Sequence, residues 1–334
     1  MIRIQGLHSG RANLAIDLGT ANTIVVERGA GVVFDQPSVC CFKAYDAVPE
    51  FVAAGDEAQS FVGRAVKPYK VVRPLRHGVL SDLSAAREML RFATRAQRSG
   101  WGFSRARALI GVPADATQAE RRALVTAAID AGLAEPQLVT EPLAAAIGAG
   151  LAVDEPRGRL LIDCGAGTTE VVLISLGRIC YSHSVRGGGD ALNRALIAHF
   201  ALRHRFQIGL PSAEQLKVQL SALLDNEEHE AFVEVRGLDA ASGLPKTIRV
   251  PVEELRAAWN KHIEDVLVTV QAALAEAPPE MSHDIFEDGI LLTGGAAMTG
   301  LLARHIAAAT GIRTELAVTP IRSVAAGLLR MING

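Results

Sequence analysis

The stretch Leu14-Ala15-Ile16-Asp17-Leu18-Gly19-Thr20-Ala21-Asn22-Thr23-Ile24-Val25-Val26 decides the fold, because the chain carries it twice. The second version reads Leu160-Leu161-Ile162-Asp163-Cys164-Gly165-Ala166-Gly167-Thr168-Thr169-Glu170-Val171-Val172. Each copy has an apolar run, Asp-x-Gly, a Thr six residues after the Asp, and then Val-Val. A constant offset of this kind marks a duplicated unit and predicts two similar domains. Each unit ends a buried strand on a carboxylate and turns through small residues. A carboxylate there can hold Mg²⁺ through ordered waters, because this ion dehydrates reluctantly. The turn behind it exposes backbone N–H groups, which bind phosphate oxygens. One such turn is weak evidence; two in register, facing each other, would grip a polyphosphate from both sides.

The remaining sequence is compatible with this. The 334 residues suit about two domains, and 49% hydrophobic residues suffice for real cores. A net charge of −2 argues against a general nucleic-acid surface. Cys40, Cys41, Cys164 and Cys180 form no C-x-x-C pair and read as buried small hydrophobes in a reducing compartment. The first residues lack the apolar core of a signal peptide, and no run of ~18 apolar residues predicts a spanning helix. A cytoplasmic protein is expected.

Three antiparallel strands followed by helices are predicted in each half. Helical spacing runs over Asp82–Gln97, and Leu109–Pro113 reads as a buried strand. Thr117-x-x-Glu120 is a capping box opening a helix to about Ala131, and Gln137–Val139 is a short strand. Pro142 sits in the first turn of an Ala-rich helix, where its missing N–H costs nothing. Further helices are expected over Asp190–Arg203, Ser212–Leu224, Val252–Ala275, Met298–Ala309 and Ile321–Met331, the last able to pack back on the first domain. Phe232–Arg236 and Thr247–Val250 alternate like edge strands of a small insertion.

Three more segments suit the same site. Glu141, between a strand and the Pro142 helix, can orient an attacking water; the simpler alternative is an acid stabilising the helix dipole. Thr293-Gly294-Gly295-Ala296-Ala297 joins a buried strand to a helix, where small residues let a flat base lie close. Lys217 can reach a ribose or phosphate, or simply face solvent.

In this order, these segments resemble the actin-like ATPase superfamily, and most closely its bacterial MreB branch. Asp17–Thr23 looks like that branch's first phosphate loop, Val112–Ala123 like its connecting segment, and Glu141–Leu151 and Gly167–Val171 nearly like the family text. The resemblance spans about Leu14 to Met331. It implies an α/β fold of duplicated actin-like (ribonuclease H-like) domains, with mixed central sheets and a nucleotide cleft between them. Domain I would cover 1–150 plus 320–334, with a small insertion at about 31–72; domain II would cover 151–319, with an insertion at about 186–251. The implied activity is hydrolysis of ATP to ADP and phosphate, coupled to assembly of filaments that guide cell shape and wall synthesis.

By the same resemblance, Glu141 and Thr168 would place the hydrolytic water. Asp17 and Asp163 would organise Mg²⁺ through water. Gly19, Thr20, Ala21, Asn22, Gly165, Ala166, Gly167 and Thr168 would hold phosphates. Glu214, Lys217, Gln219, Gly294, Gly295, Ala296 and Ala297 would line ribose and adenine. Departures from the family pattern are Ala166 and Ala296 in place of Gly, Gln219 in place of Glu, and a Gly187–Asn193 segment short of the usual acidic and aromatic residues. They keep open a divergent nucleotide-binding scaffold with little hydrolysis. A non-polymerising kinase of the same fold is a further alternative.

Trp101 and Phe103, flanked by Arg95, Arg98, Arg105 and Arg107, suit insertion at an anionic bilayer surface; the alternative is a loop whose aromatics tuck into the domain. Ile2, Ile4 and Leu7 could add weak anchoring. The expected partners are further copies of the chain, the cytoplasmic membrane surface on its inner face, and membrane proteins of cell shape or wall synthesis, but not nucleic acid.

Overall fold

The computed structural model describes residues 12–44, 49–95, 107–226 and 230–334. The first hairpin pairs β1 (Leu14–Leu18) with β2 (Asn22–Glu27), and β3 (Gly31–Pro37) runs back beside them. Next come β4 (Cys40–Lys43), β5 (Glu50–Ala54), α1 (Gly55–Gln59) and β6 (Tyr69–Val72), whose strands form a small sheet in the order β5-β4-β6. A short hairpin, β7 (Leu75–Arg76) and β8 (Val79–Leu80), leads to α2 (Leu83–Ala93). Then follow β9 (Arg107–Val112), α3 (Gln118–Asp130), β10 (Ala134–Thr140) and α4 (Glu141–Ala149). The capping box at Thr117 is formed in full: its hydroxyl accepts from the Glu120 N–H, and the Glu120 carboxylate accepts from the Thr117 N–H at 2.7 Å.

The second half repeats the plan. It begins with β11 (Arg159–Cys164), β12 (Thr168–Ser175), β13 (Arg178–Arg186) and α5 (Gly188–His204). A three-stranded sheet of β14 (Phe206–Gln207), β15 (Phe232–Asp239) and β16 (Pro245–Pro251) follows, interrupted by α6 (Leu210–Asp225). The chain ends through α7 (Val252–Glu276), α8 (Pro279–Asp288), β17 (Ile290–Thr293), α9 (Gly300–Thr310), β18 (Thr314–Leu316) and α10 (Ser323–Asn333).

The two main sheets have one topology. Their orders are β10-β9-β1-β2-β3 and β18-β17-β11-β12-β13. In each, a hairpin strand pairs in parallel with the first strand of a later β-α-β unit. The registers agree as well: Asp17 lies opposite Ile24 and Asp163 opposite Glu170. Both turns close on the same bond, Gly19 N–H to Asn22 O at 3.0 Å and Gly165 N–H to Thr168 O at 2.8 Å.

The helices that end the two halves are exchanged. α10 packs on β1, β2 and β9, whereas α4 also packs on β11 and β12. Ala15, Val26, Leu161 and Val172 from the two sheets therefore share one core with Ala144, Ile147, Ala325 and Leu328 of these helices. The two helices touch backbone to backbone. A Cβ on Gly148 would strike the Ser323 carbonyl, and one on Gly327 the Ala144 carbonyl. The Ala-rich text of α4 allows this approach, and Arg330 donates to the Ile147 carbonyl near the end of α4, where a cation also suits the helix dipole.

The structure corrects several readings. The small first-half sheet starts at Cys40, since residues 31–37 belong to the main sheet. β15 is the middle strand of its sheet, not an edge. Residues Gly295–Met298 form a 3-10 turn, and the helix starts only at Gly300 behind a Thr299 cap. Cys40, Cys41 and Cys164 are buried, but Cys180 is exposed. No helix among the described residues is long and apolar enough to cross a membrane.

Candidate functional site

The two hairpin turns line a cleft of about 380 Å³ between the main sheets. Thr20, Ala21, Ala166 and Gly167 lie in the turns, so their N–H groups take no part in the strand ladders. The turns approach closely at Gly167. A Cβ there would strike the Thr20 hydroxyl and come within 2.6 Å of the Gly78 nitrogen. The Gly78 N–H donates to the Thr20 hydroxyl at 3.2 Å, and Arg73 donates to the Thr20 carbonyl at 3.0 Å. Thr168 stands beside the same hairpin: its Oγ1 would lie 3.5 Å from a Cβ on Gly78.

Asp17, Asp163 and Glu141 line the cleft together. Asp163 accepts from the Thr293 hydroxyl at 3.0 Å. Glu141 is the first residue of α4, and its Cγ would lie 3.0 Å from a Cβ on Gly111, so the glycine clears room for the carboxylate. Behind them, buried Glu170 accepts from the Ala114 N–H at 2.8 Å, tying the two halves together.

These acids hold their protons unusually firmly. Burial, then the charges of Asp163 and Asp35, push Asp17 up to about 7. Burial pushes Asp163 up to about 6, against the lowering pull of the Thr293 hydrogen bond. Burial pushes Glu170 up to about 8, although the Ala114 bond opposes it. Glu141 is raised well above the usual range by burial, then by Asp17, Glu170 and Asp163. The carboxylates are hard oxygen donors gathered in a buried place, and this donor set fits Mg²⁺.

A pH dependence follows. A carboxyl whose folded pKa is raised stabilises the fold fully below its unfolded value near ~4. That contribution is lost as pH climbs through the folded values of about 6, 7 and 8. The melting temperature of chelator-treated, nucleotide-free protein is therefore expected to fall from about pH 5 to about pH 8.5, and Mg²⁺ to flatten the slope. A level or rising melting temperature in chelator over that window refutes this account.

Glu214, Lys217 and Gly189 form another part of the wall. The Glu214 carboxylate accepts from Asn193 at 2.6 Å and from Lys217 at 2.8 Å. Burial alone would raise Glu214, but the bond and charge of Lys217, the Asn193 bond and the Arg73 charge together outweigh it and hold the carboxyl below its ordinary value. Lys217 Nζ also donates to the Gly189 carbonyl at 3.5 Å. Gly294, Gly295 and Ala296 line the cleft with Met298, Pro320, Ile321 and Val324.

Two expected residues stand elsewhere. Gln219 is outside the lining, because the helical phase that turns Glu214 inward brings Lys217 and Val218 with it and leaves Gln219 exposed. Ala297 points into the second-half core and is 1% exposed. Trp101 and Phe103 lie outside the described residues. Residues not anticipated include Leu75 and Gly78 of the β7–β8 hairpin, Val218, Pro320, Ile321 and Val324. A His77-Gly78 turn flanked by apolar residues was the available signal for the first.

Paired sheets of one topology, exchanged terminal helices and an acid-lined cleft between matched turns define an actin-like fold. The MreB/Mbl protein family model matches residues 11–334, and the chain belongs to that family of cell shape-determining proteins. It is 38% identical over 329 residues to the cell shape-determining protein MreB of Pasteurella multocida, covering 97% of this chain and 93% of that protein. The crystal structure of MreB5 of Spiroplasma citri bound to ADP superposes with a TM-score of 0.88 at 29% identity, covering 96% of this chain and 95% of that one. The MamK double helical filament matches with a TM-score of 0.75 at 22% identity, over 95% and 97% of the two chains, and shares the fold.

Proposed function

We propose that the chain binds and hydrolyses Mg·ATP in this cleft and assembles into filaments on the inner face of the cell membrane, where it organises cell shape and wall synthesis. The observation that carries the reading is the pair of equivalent turns facing each other over Asp17, Asp163 and Glu141. Turn N–H groups of Thr20, Ala21, Ala166 and Gly167 would hold phosphates. Asp17 and Asp163 would hold Mg²⁺ through water, and the ion would supply charge neutralisation at the phosphates. Glu141, with Thr168, would position a water and take its proton. Glu214 and Lys217 would face the ribose, and Gly294 to Ala296 the base. ADP in the MreB5 relative supports nucleotide in the cleft, and the MamK filament supports self-assembly of this fold.

Sedimentation and electron microscopy with Mg·ATP, with and without anionic liposomes, test the proposal. Polymers that need nucleotide, and liposome binding lost on replacing Trp101 and Phe103 by Ser, are expected. Absence of polymers under every condition overturns filament formation, and unchanged liposome binding removes the aromatic loop from the membrane reading.

The Ala166 methyl beside the cleft favours a second reading, a scaffold that binds nucleotide and hydrolyses it little. Phosphate release by the unaltered protein separates the two.

A further inference from the structure

Three side chains that the cleft does not use meet where the segment 205–253 leaves α5 and re-enters α7. His199 and His204 lie in the last turns of α5, and Glu254 in the first turn of α7. The Nε2 atoms of His199 and His204 lie 2.9 and 2.7 Å from one and the same oxygen of Glu254. The imidazole centroids are 5.7 Å apart and tilted by 52°. Phe200, fully buried, packs against both rings, at 5.8 Å from His199 and 5.5 Å from His204. The rings are thus held in place before any ligand arrives. The side chains are 16%, 27% and 35% exposed, so the group is open to solvent from one side.

We propose that His199, His204 and Glu254 form a site for a borderline transition-metal ion, with Zn²⁺ the expected occupant. Two imidazole nitrogens and a carboxylate are a zinc donor set, with the fourth position left to water. All three donor atoms lie within 4.8 Å of one another. Tetrahedral Zn²⁺ with bonds of about 2.0–2.2 Å sets its donors about 3.4 Å apart, so modest movement of the outermost side chain, Glu254, completes the geometry. Mg²⁺ is not expected there, because it prefers oxygen donors and retains its waters.

The location gives the site a consequence. His204 and Glu254 are 50 residues apart and bracket β14, α6, β15 and β16. An ion bound by them pins the root of this segment, which carries Glu214 and Lys217 on the cleft wall.

The test uses the full chain without a polyhistidine tag, stripped by chelator and titrated with Zn²⁺ by calorimetry and with Co²⁺ by visible absorption. One equivalent of Co²⁺ is expected to give a tetrahedral d–d band without thiolate charge transfer, and Zn²⁺ to remove it. His199→Gln, which retains an amide donor toward Glu254, and Glu254→Gln are each expected to weaken Zn²⁺ binding by about tenfold or more. Cys180→Ser, at the exposed thiol, is expected to leave binding unchanged. Far-ultraviolet circular dichroism in chelator identifies folded variants; if Glu254→Gln does not fold, His199→Gln decides. Absence of binding by the unaltered chain, binding undiminished in folded His199→Gln, or binding lost in Cys180→Ser overturns the proposal.

Discussion

Glu141→Gln is expected to reduce phosphate release by about a hundredfold or more, while nucleotide affinity changes little. The amide matches the carboxylate in shape and can still hydrogen-bond, but it cannot accept the proton of an attacking water. The side chain should remain in place, since α4 fixes its backbone at the helix start and Gly111 leaves a slot against its Cγ. The unliganded carboxyl is held well above its ordinary range by burial and by Asp17, Glu170 and Asp163. Mg²⁺ held by Asp17 and Asp163 would neutralise two of the charges that raise Glu141 and so favour the anion that a base requires. The measurement is single-turnover phosphate release beside fluorescent-nucleotide binding. Equal release from Glu141→Gln and a parent that does hydrolyse removes Glu141 from catalysis. Near-zero release from both supports the scaffold reading.

Gly327→Ala is expected to destabilise the protein by about 3 kcal/mol or more, at the upper end of overpacking costs. A methyl at this position would overlap the Ala144 carbonyl and lie 3.0 Å from the Ala144 Cα. Backbone cannot move aside as a flexible side-chain end can, so α10 would have to lift from α4. That separation would open the core shared by Leu161, Val172 and Leu328. Gly148→Ala should act in the same direction, since its methyl would overlap the Ser323 carbonyl and approach the Gly327 nitrogen at 2.6 Å. Val268→Ala, at a side chain 67% exposed, serves as the control and should change stability by less than about 0.5 kcal/mol. Thermal melts decide; a Gly327→Ala protein as stable as the control contradicts the close-packed contact.

The duplicated hairpins were legible because their information is local. An apolar run ending in Asp, a small-residue turn and a second apolar run determine strand, turn and strand without distant help. Glu141 and the Thr117 cap were legible for the same reason. The errors arose where position along the chain was taken for position in space. Gln219 is close in sequence to Lys217, but a helix turns it about 100° per residue, and the inward face is Glu214, Lys217 and Val218. Ala297 follows Ala296 directly, yet the 3-10 turn sends it into the core. The β7–β8 hairpin was not anticipated as part of the site. Its strands are two residues each, too short for periodicity, and Gly78 meets Thr20 across 58 residues of chain.

The exchange of α4 and α10 bears on how the chain is made. The first sheet, with β1, β2 and β9 in place, still lacks a helix that packs on it, and that helix follows all the other described elements in chain order. While residues 323–333 remain inside the ribosome, Ala15, Val26 and Leu109 lack the share of their core that Ala325 and Leu328 supply. The first half therefore cannot finish folding as an independent unit ahead of the second. A nascent chain of this protein should remain a client for chaperones until residues 323–333 have emerged.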